Sequence, residues 1–448
     1  MSDSLVLVHL SDIHFSWRDD TGPCDMNADL RSQIERDVEQ LSGELGPPGA
    51  VLVSGDIAYS GAQSEYEAAG DWLSSICHRV GCPETSVWLV PGNHDVDRRV
   101  LSTSEALRAI HRDLRGENDA AAREARFNGL LRDRIMGRAL YDSIEQFNLF
   151  ASRYECSISA EQPYWETSLV LNDGSQLRIR GINTSMISGS GDNKTTRKLI
   201  AGVTQCMPEA RGGTEYLVMM HHPPSWLLDG EEVAAALRAR SRLQLFGHEH
   251  RLGVEQIDLR TVRVFAGAVH PSRLEPGWEP RYNIMSLRVE GGDPRMLRIK
   301  IFPRIWDHRE LCFRADFDPA GSPTREFSVE LQPLSEPADT RPVSAMSEAE
   351  ARVTAEDVDV PEVRGEEEAV DPHRRLAYRF LTLPYGEQIR IAQELKLLED
   401  DDRGIADPEL FVRVLSRAIE REIVETFWER VESAHAAREA KRPTLSED

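Results

Sequence analysis

Val87-Trp88-Leu89-Val90-Pro91-Gly92-Asn93-His94-Asp95 is an apolar run that stops at a turn and then presents three polar side chains in succession. Val87 to Val90 has the length and composition of a buried strand, bounded on its carboxyl side by Pro91-Gly92. Gly92 lets the backbone turn tightly, so Asn93, His94 and Asp95 fall at a strand's carboxyl edge, where open α/β sheets hold their sites. The stretch predicts an α/β fold with a polar site on one rim.

Four other places in the chain repeat the arrangement. Leu5–Leu10 runs into Ser11-Asp12-Ile13-His14, and Val51–Val53 into Ser54-Gly55-Asp56. Tyr216–Met220 runs into His221-His222-Pro223-Pro224, and Leu243–Phe246 into Gly247-His248-Glu249-His250. In Asp12-Ile13-His14 the alternate spacing lets both polar side chains point to one side of an extended segment. Carboxylates, imidazoles and one amide oxygen are ligands for hard-to-borderline divalent or trivalent metals, and no cysteine takes part. The donors exceed what one four-coordinate ion needs. A carboxylate such as Asp56 can bridge two ions, and two ions roughly 3.5–4 Å apart clamp a phosphate ester for in-line displacement.

The order D-x-H, G-D, G-N-H-D, H, G-H-x-H resembles the calcineurin-like metallophosphoesterase family, and within it the cyclic-nucleotide phosphodiesterase branch. The resemblance covers Leu5 to Ile301. It implies a four-layer sandwich, two mixed sheets flanked by helices, and two divalent or trivalent ions (Mn, Fe or Zn). On that pattern Asp12, His14, Asp56 and His250 hold the first ion. Asp56 bridges, and Asn93, His221 and His248 complete the second. His94 is the outer imidazole that stabilises the transition state or protonates the leaving oxygen, and Asp95 orients it. His9, His111, His222 and His270 are given structural or solvated roles. The implied activity is hydrolysis of a phosphodiester, a nucleotide or cyclic nucleotide, by metal-activated hydroxide; the alternative is a nuclease.

Composition sets limits. At 448 residues the chain suits one large domain plus an appendage, and 40% hydrophobic residues suffice for a core. No apolar run approaches the roughly 18 residues of a membrane helix. The Leu5–Leu10 run is too short for a signal sequence, so secretion is not expected. Cys24, Cys77, Cys82, Cys156, Cys206 and Cys312 are widely spaced, as free thiols in a reducing cytoplasm would be. A net charge of −23 argues against an extended nucleic-acid surface, while two metal ions would still supply local positive charge.

The opening rhythm is strand, helix, strand, helix, strand, with Leu30, Ile34, Val38 and Leu41 on one helical face and Tyr66, Ala69, Trp72, Leu73 and Ile76 on the next. Residues 97–154 interrupt it with helix-favouring sequence that holds ten arginines between Arg98 and Arg138 and an eleventh at Arg153. Its position predicts a helical cap, its arginines either paired on a solvated face or aimed at a phosphate. Ser168–Leu171 and Gln176–Ile182 flank Asn172-Asp173-Gly174 as a hairpin. Thr261–Phe265, Tyr282–Val289 and Met296–Phe302 are expected to form the second sheet. The catalytic domain is thus 1–333.

Beyond it, 334–371 is expected to be a disordered acidic linker; Ser347–Asp371 alone has ten acidic and two basic residues. Residues 372–435 read as a small helical domain and 436–448 as a disordered tail. Leu383-Pro384-Tyr385-Gly386-Glu387-Gln388-Ile389-Arg390 and its continuation to Leu398 resemble helical adaptor modules appended to effectors of bacterial conflict systems. That resemblance implies recruitment by a protein partner, in bacterial defence; a plain docking or dimerisation bundle is the other reading.

Overall fold

A computed structural model of the chain describes residues 4–16, 27–189, 192, 194–209, 212–271 and 279–333, and then 376, 379–380, 383, 385–399, 402, 407–421 and 423–439. The acidic segment 334–371 and residues 440–448 lie outside these.

Strands β1 (Leu5–Leu10), β2 (Ala50–Val53) and β3 (Val87–Leu89) lie side by side and parallel. Helices α1 (Ala28–Leu45) and α2 (Gln63–Val80) are the crossovers between them, and bury the apolar faces expected from their spacing. A second sheet sets β4 (Tyr164–Val170) antiparallel to β5 (Gln176–Ile182), the expected hairpin. It continues in parallel through β6 (Thr214–Met220), β7 (Leu243–Phe246) and β9 (Thr261–Ala266), with β8 (Leu252–Asp258) on the edge.

The period of two along a strand assembles the layers. In β6, Leu217 and Met219 join the core between the sheets, whereas Val218 and Met220 join an outer core with Cys206 of the short helix α8 (Val203–Cys206) and Val233, Ala236 and Leu237 of helix α9 (Gly230–Arg240). Both faces of these strands are covered, so they read as continuous apolar runs. The architecture is two mixed sheets flanked by helices.

One expectation needs correction. Of the three strands after His250, only β9 enters the second sheet. β10 (Arg281–Glu290) pairs antiparallel with β1, and β11 (Met296–Asp307) follows it. β12 (Cys312–Ala315) and β13 (Arg325–Glu330) both pair with β11. β1 is buried nearly along its length, so its edge away from β2 cannot be left to water; β10 supplies those hydrogen bonds.

The interruption after Asp95 is helical: α3 (Arg98–Thr103), α4 (Glu105–Gly116), α5 (Ala120–Arg132), α6 (Arg134–Tyr141) and α7 (Glu145–Ala151). Asp97, Ser104, Asp119 and Asp133 each accept a first-turn backbone N–H, which breaks the segment into short capped helices. Its apolar side packs on α2, where Phe150 stacks on Tyr66 with ring centroids 5.2 Å apart.

The C-terminal part has helices α10 (Tyr385–Glu394), α11 (Asp407–Glu420) and α12 (Val424–Glu439), the last running past the boundary expected at 435. Phe380, Ile391, Phe411, Val414, Phe427 and Val431 close a core that, among the described residues, draws on none before Leu376. No helix among the described residues is long and apolar enough to cross a membrane. The described cysteines, Cys77, Cys82, Cys156, Cys206 and Cys312, are unbridged.

Candidate metal centre

The carboxyl ends of β1, β2, β3, β6 and β7 meet at one rim, and the backbone there is unusual. Asp12, His14, Asp56, His248 and His250 all have left-handed φ between 50 and 66°. For a non-glycine residue each such conformation costs about 1–3 kcal/mol and persists only where neighbours over-determine it. They do so here. The Asp12 N–H donates to Gly55 O at 3.0 Å, and the Ile13 and His14 N–H groups both donate to Asp56 O at 2.9 and 3.0 Å. Asp56 Oδ1 accepts from the His94 N–H at 2.7 Å, and Asp12 Oδ2 from the His248 N–H at 3.1 Å. Two glycines permit the approach. A Cβ on Gly92 would lie 2.1 Å from Asp56 Oδ1, and one on Gly247 2.0 Å from Ser11 Oγ.

The side chains interlock. Asp56 Oδ2 sits 3.2 Å from His14 Nε2 on one side and 3.3 Å from His221 Nε2 on the other. Asp12 Oδ1 is 3.2 Å from His250 Nε2. Asn93 Oδ1 is 3.2 Å from both His221 Nε2 and His222 Nε2. Asp12, His14 and His250 offer ligand atoms within 4.8 Å of one another; so do Asp12, Asp56 and His221, and so do His221, His222 and His248. All seven residues expected as ligands therefore face one volume.

Two orientations are fixed from outside. His14 Nδ1 donates to His270 O at 3.1 Å, and His221 Nδ1 to Ser54 O at 2.8 Å, leaving each Nε2 turned inward. His270 thus contributes a backbone oxygen. His9 is fully buried with Nε2 2.9 Å from Ser54 Oγ, and burial lowers its pKa to about 3, a structural role as expected.

The electrostatics divide the imidazoles. Burial would lower His221, but the Asp56 charge outweighs it and raises the group to about 9; His14 is raised by the same contest. Burial lowers His248 to about 3 and His222 well below its ordinary value. His248 Nε2 is buried with no hydrogen-bond partner among the described residues. An orphaned imidazole nitrogen facing carboxylates and an amide oxygen is a donor set that fits a cation.

Two sequence expectations change. Asp95 does not orient His94. Its carboxylate accepts from Gly92 N at 2.8 Å, Ile57 N at 3.2 Å, Ala58 N at 2.9 Å and the Tyr66 hydroxyl at 3.0 Å, and so ties the β2 and β3 loops together. It is the Tyr59 carbonyl, from the loop after β2, that accepts from His94 Nδ1, at 2.8 Å. His222 is not peripheral. It lies within the cluster, with its ring 4.3 Å from that of His248 and its Nδ1 2.9 Å from Thr184 Oγ1. The tandem His221-His222 was the available signal.

A cavity of about 460 Å³ opens over the cluster, lined by Asp56, Asn93, His94, His248, His250, Trp226, Lys194, Glu249 and Arg251. None of these comes from 98–151. Four arginines of that segment pair with carboxylates on its own surface, Arg99 with Asp97, Arg108 and Arg112 with Glu105, and Arg126 with Asp113. Exposed Arg98 alone among them acts on His94, whose pKa is lowered by burial first, then by the His14 charge and last by that of Arg98, against the pull of Asp56.

Residues 5–252 match the family model for calcineurin-like phosphoesterases, and residues 372–433 that for a GTPase-associated adaptor domain. A glycerophosphodiester phosphodiesterase, GpdQ, of Enterobacter lignolyticus (strain SCF1) is 36% identical over 93 residues. That match takes in 20% of this chain and spans only 30% of the relative's length. Among solved structures, a dimetal phosphatase from Danio rerio aligns with TM-score 0.35 and 12% identity, over 73% of this chain and 98% of that one. A purple acid phosphatase from yellow lupin (Lupinus luteus) aligns with TM-score 0.36 and 11% identity, over 74% and 54%. With the family model spanning more than half its length, the chain belongs to the calcineurin-like phosphoesterase family.

Proposed function

We propose that the chain is a phosphodiesterase that uses two metal ions to hydrolyse a nucleotide or cyclic nucleotide, in the cytoplasm, under the direction of a protein partner. The family is one of metal-dependent hydrolases with dinuclear centres. The observation that carries the reading is the shared oxygen: Asp56 Oδ2 faces His14 from one group of donors and His221 from another, as a bridging carboxylate must. Asp12, His14 and His250 would complete one ion's ligands, and Asn93, His221 and His248 the other's. His222 is the additional donor beside the second.

Ions bound there supply positive charge to the ester's anionic oxygens and lower the pKa of an attacking water. The chain's own residues do the rest. Because a carbonyl only accepts, the Tyr59 contact puts a proton on His94 Nδ1, so Nε2 is the nitrogen that takes up a second proton from solvent and, as the imidazolium, gives it to a leaving oxygen. Tyr59 also packs on the ring, centroids 5.2 Å apart, so His94 is held in place before substrate arrives. Trp226, with its ring 4.1 Å from that of His248, forms an apolar wall suited to an aromatic group such as a base.

The separate core of 376–434 and the adaptor-domain match support a docking role for residues 372–435. Loading the protein with Mn²⁺ and assaying bis-p-nitrophenyl phosphate, p-nitrophenyl phosphate and cyclic nucleotides tests the reading. Faster turnover of the diester than of the monoester is expected. No turnover of any of them would overturn it.

A further inference from the structure

Resting on that reading, we infer that Lys194 and Arg251 form a second anion subsite at the cavity mouth, so that the preferred substrate is a small nucleotide bearing a phosphate besides the scissile one. The two cations flank one carboxylate. Lys194 Nζ lies 2.8 Å from Glu249 Oε1; Arg251 places Nε 2.8 Å and Nη2 2.7 Å from Glu249 Oε2. Glu249 also accepts from Trp226 Nε1 at 3.3 Å, and its side chain is only 8% exposed. Those of Lys194 and Arg251 are 53% and 60% exposed.

Two cations to one carboxylate leave the mouth with a net positive charge, and both cations keep N–H groups that Glu249 does not use. A chain of net charge −23 repels an anionic substrate at long range, so a positive mouth is where an additional phosphate would be drawn in.

The arrangement is preorganised. Arg251 lies over the Phe265 ring, its guanidinium carbon 5.6 Å from the centroid. The loop that carries Lys194 is held on both sides by one residue of the helical segment: Arg115 donates to Ile187 O before it and to Lys198 O after it, and pairs with Asp192. Asp192 in turn accepts from Ser188 Oγ and Gly189 N. The arginine-rich segment thus acts on the site through a loop, with Arg115 as a positioning residue.

The test is equilibrium binding of adenosine 5′-monophosphate and adenosine 3′,5′-bisphosphate to the Mn²⁺-loaded full chain. Wild type should bind the bisphosphate at least about tenfold more tightly, the scale of one charge-assisted hydrogen bond. Lys194→Gln with Arg251→Gln should bring the ratio to about one, whereas Lys194→Arg with Arg251→Lys should keep it. Metal content of each variant reports that the centre is intact. Equal affinities in wild type, or a ratio the charge-removing pair leaves unchanged, would overturn the subsite. Turnover of bis-p-nitrophenyl phosphate, which has no second phosphate, judges the metal-centre reading separately.

Discussion

The rim of strand ends and the helical segment between Asp97 and Tyr154 are built on opposite terms. At the rim, five non-glycine residues hold left-handed backbone, and the side chains of Asp12, His14, Asp56, Asn93, His221 and His222 each have two or more partners. In the segment, short helices start on ordinary caps and four arginines pair with carboxylates on the same surface. The rim is costly and over-determined; the segment is relaxed and redundant. Position carries function here, while the abundance of a residue type does not. Arginine is plentiful in the segment, yet Arg115 matters for the loop it holds.

The largest effect is expected from a change at the rim where no neighbour can move aside. Gly92→Ala would push a Cβ into Asp56 Oδ1 and the Asp56 N–H. We expect turnover to fall to background and stability to drop by at least about 1–3 kcal/mol, read by assay and thermal melt. A variant with wild-type activity would show that the rim is not over-determined.

His94→Ala comes next. It should keep the metal ions and lose about 10²–10⁴-fold in rate, because Nε2 no longer passes its proton. The loss should shrink for p-nitrophenolate, a good leaving group. Equal losses on good and poor leaving groups would assign His94 to charge stabilisation instead.

Much of the rim was legible because each donor sits next in sequence to the strand that aims it. Asp12, His14, Asp56 and Asn93 needed only a run of apolar residues and a turn to be found. What adjacency could not tell was direction. Asp95 follows His94 in the chain yet points back into the loops, so its role went to the wrong contact. Glu249 stood inside a quoted motif, but its partners Lys194 and Trp226 come from distant loops that only the folded chain brings in. Pairing of β10 with β1 likewise joins segments some 280 residues apart, and local pattern carries no record of it.

Within the helical segment the effects should be smaller and unequal. Arg115→Ala should loosen the 187–198 loop, raising KM for a substrate with a second phosphate more than it changes kcat. Arg126→Ala, which removes a surface pair with Asp113, should change neither melting temperature nor kinetics measurably. Comparable effects of the two would erase the distinction between position and abundance.

A weaker signature comes from His111 on α4. Burial, with the Arg115 charge behind it, lowers its pKa from 6.5 to about 4. The native state therefore binds fewer protons than the unfolded chain between these values, and stability present above pH 6.5 should be lost as pH falls toward 4. His111→Asn should flatten that part of a stability-against-pH curve; an unchanged slope would place the acid sensitivity elsewhere.

The most direct measurement is metal stoichiometry, by elemental analysis of wild type and Asp56→Asn after dialysis. If one Asp56 oxygen joins two sets of donors, wild type should retain two ions per chain, and the variant should retain neither tightly and show no turnover. Two ions firmly held in Asp56→Asn, or a single ion in saturated wild type, would contradict the bridged centre.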